Sequence, residues 1–305
     1  MEKAYYGCWP TMITPFTEAG KVDFPAIRNL VEWYIRKGAD GIFAVCQSSE
    51  MFFLSEQEKL DIATAVHDAT AGRVKVIASG HTADALDEQV EQLGRMWETG
   101  VDAVVLVSNR IAAKDHDEAE FVNNSDYLFR QLPGVTFGLY ECPYPYLRLL
   151  STDFLRDCAQ SGKLVFLKDV SCSISLLTER IAAIKGTGLS LFNANTSTLL
   201  DSLILGADGY NGVMANFHVD IYRWLYSHFR ELPEQARRVS DFLTLAAVIE
   251  ARAYPVSAKY YQNAFGVPMT TVSRSKDPSC LTENAIHEVE ALFRMETVIR
   301  QDLGL

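Results

Sequence analysis

The sequence contains no run of about 18 uncharged apolar residues, so no segment reads as a membrane-spanning helix. It has no CxxC pair. Its six cysteines (Cys8, Cys46, Cys142, Cys158, Cys172 and Cys280) lie far apart and, in a chain of 305 residues, read as reduced thiols rather than a disulfide frame or zinc site. It has no Lys/Arg cluster: 28 basic residues stand against 39 acidic ones, a net charge of −11, which argues against binding nucleic acid or an anionic membrane. No His/Asp/Glu group shows metal-ligand spacing, so no metal is expected. The opening MEKAYYGCWP has no basic stretch leading into an apolar one and is not expected to be a secretory signal, which makes the cytoplasm the expected compartment.

What the chain does have is 48% apolar residues arranged in a regular rhythm. Short runs rich in Val, Ile, Leu and Phe fall near 7–13, 41–45, 74–79, 103–107, 135–140, 164–168, 189–192 and 209–213. Most lack polar alternation, as suits strands covered on both faces in a parallel sheet. Helix-like segments separate them, with start signals at Asp23 before Pro25, at Ser55 with Glu58 three residues later, and at Thr82 before an acidic turn. Eight strands in strict alternation with helices predict a closed (β/α)8 barrel in the α/β class. An open nucleotide-binding sheet is disfavoured, because the turn after the first strand reads TPFTEAGK and lacks the Gly-rich phosphate fingerprint.

A weak repeat, Gly38-Ala39-Asp40-Gly41, Gly100-Val101-Asp102-Ala103 and Gly206-Ala207-Asp208-Gly209, precedes three of the strands. Gly is expected to end each helix in the left-handed conformation, and Asp to hydrogen-bond the tight turn that follows. Past the strand rhythm only helical patterns remain, so residues 1–225 are assigned to the barrel and 226–305 to a C-terminal helical extension packed on or beside it.

Chemistry in such a barrel sits at the C-terminal ends of its strands. Lys168 ends the sixth run, Leu164-Val165-Phe166-Leu167, with its stem among apolar side chains. Partial desolvation there disfavours the ammonium and produces a nucleophilic amine able to form a Schiff base with a ketone. The alternative is a plain ion pair with Asp169 or Glu141. Tyr140 ends the fifth run and either shuttles protons beside Lys168 or simply packs there. Gln47-Ser48-Ser49, after the second strand, offers hydroxyls and turn amides for a carboxylate, or is an ordinary loop that Glu50 anchors by hydrogen bonds. His81 and His116 are isolated and read as polar residues near loops. Cys46, Cys142 and Cys172 read as small apolar fillers near the same face.

Taken in order, these elements resemble the dihydrodipicolinate synthase / N-acetylneuraminate lyase family of class I pyruvate aldolases. The resemblance runs from Thr14-Pro15-Phe16 through Ser48-Ser49-Glu50 with Leu54-Ser55-Glu56, Tyr140-Glu141-Cys142-Pro143 and Leu167-Lys168-Asp169. It continues through Gly206-Ala207-Asp208-Gly209 to Ala215-Asn216, and to Tyr254-Pro255 with Lys259. It implies Lys168 as the imine-forming lysine, so that no separate cofactor is needed, and Tyr140 as the proton shuttle. It implies Ser48, with Gln47 or Ser49, at the carboxylate of a small 2-oxo acid substrate, and a homotetramer.

Three departures bear on substrate. Gln47 stands at the family's first hydroxyl position. Asn109-Arg110-Ile111 stands where the synthases have Pro-Tyr-Tyr, so the tyrosine shared across a subunit interface is absent. Pro145 stands where they carry an arginine, which removes the partner for the aldehyde's carboxylate. Asn195-Thr196 also replaces the Asp-Glu pair of the sialic acid branch.

The reading is therefore a Schiff-base lyase or aldolase acting on pyruvate or a sugar-derived 2-oxo acid, and not the lysine-biosynthetic synthase. Asn193, Asn195, Thr196 and Asn211 are candidates for substrate hydroxyls, and Arg110 or Arg148 for a distal acidic group. A hydro-lyase using the same lysine, or a barrel that binds a metabolite without catalysis, are the alternatives.

Overall fold

Every apolar run becomes a parallel strand: β1 (Gly7–Cys8), β2 (Gly41–Val45), β3 (Lys75–Ala78), β4 (Ala103–Val107), β5 (Phe137–Tyr140), β6 (Leu164–Asp169), β7 (Ser190–Asn193) and β8 (Gly209–Tyr210). These come from a computed structural model that describes residues 3–305; Met1 and Glu2, where the expected barrel unit begins, lie outside the described residues. The sheet order is β1-β8-β7-β6-β5-β4-β3-β2. It closes between its two ends, where Phe43 N–H donates to Pro10, Met12 N–H donates to Phe43, and Thr11 bridges Phe43. The result is the (β/α)8 barrel.

Helices α1 (Phe24–Arg36), α2 (Glu56–Thr70) and α3 (Leu86–Glu98) cover the first strands, and the short α4 (Ser108–Ile111) and α5 (Glu118–Gln131) follow β4. α6 (Thr152–Ser161), α7 (Ile174–Ala183), α8 (Leu199–Leu205) and α9 (Ala215–His228) complete the outer ring. α10 (Pro233–Ala246), α11 (Val256–Phe265) and α12 (Glu283–Leu303) form the extension, and α9 runs across residue 225. Among the described residues no helix is long and apolar enough to cross a membrane.

Local signals explain most helix starts. Asp23 accepts from Ala26 N–H, and Ser55 and Glu58 form the reciprocal capping box. Thr82 is a correction: α3 begins only at Leu86, and no side chain caps it. Tertiary partners hold Thr82 instead, since Lys59 Nζ donates to its hydroxyl at 2.9 Å and its N–H donates to Gln92 Oε1 at 2.9 Å.

The Gly-x-Asp repeat also works differently from the expectation. Gly38, Gly100 and Gly206 do take positive φ at the helix ends. The aspartates, however, reach sideways rather than closing their own turns. Asp40 accepts from Cys8 N–H in β1, Asp102 from Val76 N–H in β3 and Asp208 from Leu191 N–H in β7, each at 2.8 Å. Each carboxylate thus clamps the strand before its own, at the end of the barrel opposite the site.

Aromatic side chains fill the barrel interior. Phe166 stacks on Phe192 at 4.6 Å between centroids, and Trp9 lies against both at 5.7 and 5.6 Å. Gly41 makes room for Trp9, since a Cβ there would sit 2.3 Å from the indole. This packed layer is the floor on which the functional end rests.

Candidate active site

Strand alternation sorts the residues at the ends of β5 and β6. Phe166, Lys168 and Tyr140 point into the barrel, whereas Glu141 and Asp169 point outward to α7. There Arg180, fully buried, donates from Nη2 to Glu141 at 2.6 Å and from Nη1 to Asp169. Both carboxylates that Lys168 might have paired with are therefore engaged behind the strands. Burial pushes the Glu141 carboxyl up from its usual range, the guanidinium pulls it back, and Asp169 adds to the push.

Among the described residues, Lys168 has no ion-pair partner. It is 4% exposed, and Tyr140 is its direct neighbour in the parallel register. Its Nζ lies 4.5 Å from the centroid of the Tyr140 ring and 5.8 Å from that of Phe43. Burial lowers its pKa to about 8, while Cys46, Cys142 and Glu250 push weakly the other way. The aromatic faces favour the ammonium, yet desolvation wins. At pH 7 about one such amine in ten is neutral, against about one in three thousand for an ordinary lysine.

The Tyr140 phenol donates to Gln47 Oε1 at 3.2 Å, and burial holds its pKa well above the ordinary value. At neutral pH it stays protonated and is the donor of that bond.

The loop after β2 turns at Glu50, which adopts a left-handed φ of 64°. Glu50 accepts from Lys259 Nζ at 2.6 Å through one oxygen, and from Ser273 Oγ and the N–H groups of Arg274 and Ser275 through the other. The expected anchoring role is what the geometry displays, and it ties the extension to the barrel mouth. Ser48 Oγ donates to Thr11 Oγ1 at 3.1 Å. Ser49 turns back into its own loop, with Oγ donating to Cys46 O at 2.8 Å and accepting from Cys46 N–H at 2.5 Å.

A cavity of about 560 Å3 opens above the aromatic floor. Gln47, Ser48, Tyr140, Lys168 and Asn195 line it. The remaining candidates do not. Ser49 is spent on Cys46. Asn193 donates to Thr198 and Ser202 at 3.0 Å each, fastening β7 to α8, and Asn211 donates to Trp9 O at 2.7 Å. Thr196 bonds the phenols of Tyr222 at 2.7 Å and Tyr210 at 3.2 Å.

Arg110 donates to Thr82 O and Asp84, and Arg148 to the carbonyls of Ala113, His116 and Asp117, so neither lines the cavity. Asn109 has a structural job, donating to the carbonyls of Cys142, Tyr144 and Tyr146 and holding the loop after β5.

His81 is a satisfied core residue. Val107 N–H donates to its Nε2 at 2.6 Å, which fixes the Nδ1–H tautomer, and Nδ1 donates to Gln89 Oε1 at 2.9 Å. Burial lowers its pKa to about 4. The folded state therefore refuses a proton that the unfolded chain accepts below pH about 6.5, and stability must fall as pH drops through the window between 6.5 and 4. Urea unfolding should show this group costing about 2 kcal/mol between about pH 7.5 and about pH 5, a loss absent from a His81→Gln variant.

Among the lining residues that sequence reading missed are Glu250 and Tyr254. Tyr254 was legible only as part of a late helical element. Glu250 carried no signal, because it lies on a 3-10 turn, Ala247–Ala251, inside a segment that reads as packing helices.

The model of the dihydrodipicolinate synthetase family matches residues 4–293 of the chain. A 4-hydroxy-tetrahydrodipicolinate synthase of Methylococcus capsulatus is 30% identical over 213 residues, 67% of this chain and 69% of that one. A protein of Escherichia coli K12 named as a probable 2-dehydro-3-deoxy-D-pentonate aldolase, YjhH, is 25% identical over 280 residues, 88% of this chain and 90% of that one. The crystal structure of YagE from Escherichia coli K12, solved in complex with pyruvate, superimposes with a TM-score of 0.83 at 22% identity, covering 99% of both chains.

Proposed function

The chain belongs to the dihydrodipicolinate synthetase family, and from that premise we propose that it is a class I lyase whose Lys168 condenses with pyruvate or a longer, sugar-derived 2-oxo acid. The observation that carries the reading is the Lys168 amine: buried at the barrel mouth, without an ion pair among the described residues, beside the Tyr140 phenol and open to the cavity. A neutral amine adds to the 2-oxo carbonyl, loss of water forms the imine, and the resulting iminium draws electrons from the bond beyond the α-carbon. The phenol gives its proton to the oxygen that leaves as water during imine formation, and takes it back when water hydrolyses the product iminium to ketone and free amine.

Ser48 and Gln47, at the end of β2, are the groups proposed for the substrate carboxylate, and Asn195 for a hydroxyl farther along. Two features favour a sugar-derived substrate over the aldehyde of lysine biosynthesis. No arginine is among the residues lining the cavity, and a relative of similar length is named for a 2-dehydro-3-deoxy-pentonate. Pyruvate as the common fragment is supported by its presence in the YagE complex.

Borohydride reduction in the presence of pyruvate, followed by mass spectrometry of the intact chain, tests the reading. A covalent adduct is expected, and its absence with every 2-oxo acid offered would sink the proposal. Because only the neutral amine attacks, the rate of imine formation should rise tenfold per pH unit below the lysine's pKa of about 8 and level off above it. A rate still climbing at pH 10 would mean the amine is not kept dry.

A further inference from the structure

Pyruvate alone leaves most of the cavity unused. A volume of about 560 Å3 is of the size that buries ligands much larger than a three-carbon acid. Gln47, Ser48, Tyr140 and Lys168 gather at the strand ends, where the imine would form. Beyond them one side of the cavity is apolar, lined by Phe52, Phe53, Pro143, Tyr144 and Leu147.

Phe53, Tyr144 and Leu147 are 44%, 47% and 45% exposed. Large apolar side chains left open together mark a place where something else binds. Because they share one cavity with the Lys168 amine, the occupant is a ligand of this site. The wall is also built to hold its shape. The Tyr144 ring packs on Phe52 with centroids 5.2 Å apart, joining the loop after β5 to the turn after β2. Behind it, Asn109 Nδ2 donates to Tyr144 O at 2.9 Å and to Tyr146 O at 2.7 Å, and the Tyr146 phenol donates back to Asn109 O at 2.8 Å.

No paired cation waits at this wall for a second acid. The Arg110 guanidinium lies 5.9 Å from the Phe52 centroid, but it donates to Thr82 O and Asp84 and does not line the cavity. Of the charged groups that do line it beyond Lys168, Glu50 is held by Lys259, Glu250 would repel a distal carboxylate, and Lys276 is exposed at the rim.

We infer that the wall of Phe52, Phe53, Tyr144 and Leu147 is the subsite for the aldehyde half of the reaction, and that it selects an uncharged aldehyde whose carbon chain lies on the rings. The inference rests on the imine reading above. C–H groups gain by leaving water for such a face, whereas a carboxylate brought against it is desolvated without a partner. The neutral aldehydes that sugar-derived 2-oxo acids release fall in this class. In the condensing direction the pyruvate iminium loses a C3 proton to become an enamine, and C3 attacks the aldehyde carbon. The carbonyl oxygen takes up a proton as the C4 hydroxyl, and water releases the 4-hydroxy-2-oxo acid from the amine.

Butanal and succinic semialdehyde form a matched pair of probes, with the same number of carbons and a methyl or a carboxylate at the far end. The full chain is incubated with pyruvate and each aldehyde, the 4-hydroxy-2-oxo acid formed is measured, and borohydride trapping of pyruvate is run in parallel. Wild type should prefer butanal by about tenfold or more in kcat/KM. Phe52→Ala and Tyr144→Ala should each raise KM for butanal about 5–20-fold while still forming the pyruvate adduct. Tyr144→Arg, which supplies a guanidinium at the wall, should move the preference toward succinic semialdehyde.

A wild type that uses succinic semialdehyde as well as butanal would overturn the inference, as would one that traps pyruvate yet condenses it with neither. So would an unchanged KM for butanal in both alanine variants. If those variants instead sediment as smaller species with KM unchanged, a second copy of the chain is what covers the wall, and the inference fails. A wild type that traps no 2-oxo acid fails the imine reading instead, and the trapping arm alone tells the two apart.

Discussion

Lys168→Met is expected to abolish the borohydride adduct and to cut turnover by on the order of 10⁴-fold or more, the scale on which a covalent nucleophile is missed. The same change should leave the fold standing and make it more stable. Lys168 forms no ion pair with any described residue, and its ammonium is held in a place that burial makes unfavourable. The sign follows from linkage. With a folded pKa of about 8 against 10.5 for the ordinary lysine, the folded state binds fewer protons than the unfolded chain between those values. Wild-type stability is therefore lowest below pH 8 and recovers as pH rises toward 10.5.

Methionine removes that penalty, so the variant should gain up to about 3 kcal/mol at neutral pH, with the gain shrinking as pH climbs above 8. Thermal melts across this pH range, set beside the trapping assay, check both halves. A variant that loses activity and stability together would mean that the amine is a structural group.

The second large effect concerns Arg180, which touches no part of the cavity. Its guanidinium lies between Glu141 and Asp169, both fully buried and each one residue beyond Tyr140 and Lys168. It also donates to Leu150 O at 2.6 Å, while Glu141 accepts from Leu150 N–H at 2.8 Å. Arg180→Ala should destabilise the protein by about 3–5 kcal/mol, because two carboxylates are left in the interior without a counter-charge. For a chain of about 300 residues this is roughly 5–8 °C in melting temperature.

The loss should be greater at pH 8 than at pH 5, since protonation relieves unpaired carboxyls. The variant should also turn over more slowly than its folded fraction accounts for, because the ends of β5 and β6 that aim the phenol and the amine lose their common tie. A loss that does not vary with pH would show that the missing packing, rather than the missing charge, is responsible.

Much of this protein is written in local pattern. Eight apolar runs at barrel spacing, the capping box at Ser55 and Glu58, and the glycines that end helices all act within a few residues, where short-range sterics and hydrogen bonding decide. Lys168 and Tyr140 were legible for the same reason. Each ends an apolar run, and in a parallel barrel such positions face the site.

Elsewhere local pattern stopped short. Asp40, Asp102 and Asp208 are plain turn residues by sequence, but the barrel brings a neighbouring strand's N–H within reach of each. Asn193 and Asn211 stand at strand ends like Lys168, yet Asn193 faces α8 and Asn211 reaches Trp9 O, because side-chain alternation over so short a strand turns on a single residue.

The fold class, the strand sequence and the reactive amine were thus set by the order of residues along the chain, through interactions spanning a few positions. The place of Tyr254 in the cavity, the hydrogen bond from Tyr140 to Gln47 and the buried arginine between two acids were decided by the folded chain alone. Each depends on groups tens of residues apart or more, and only barrel closure and the return of the C-terminal helices bring them together.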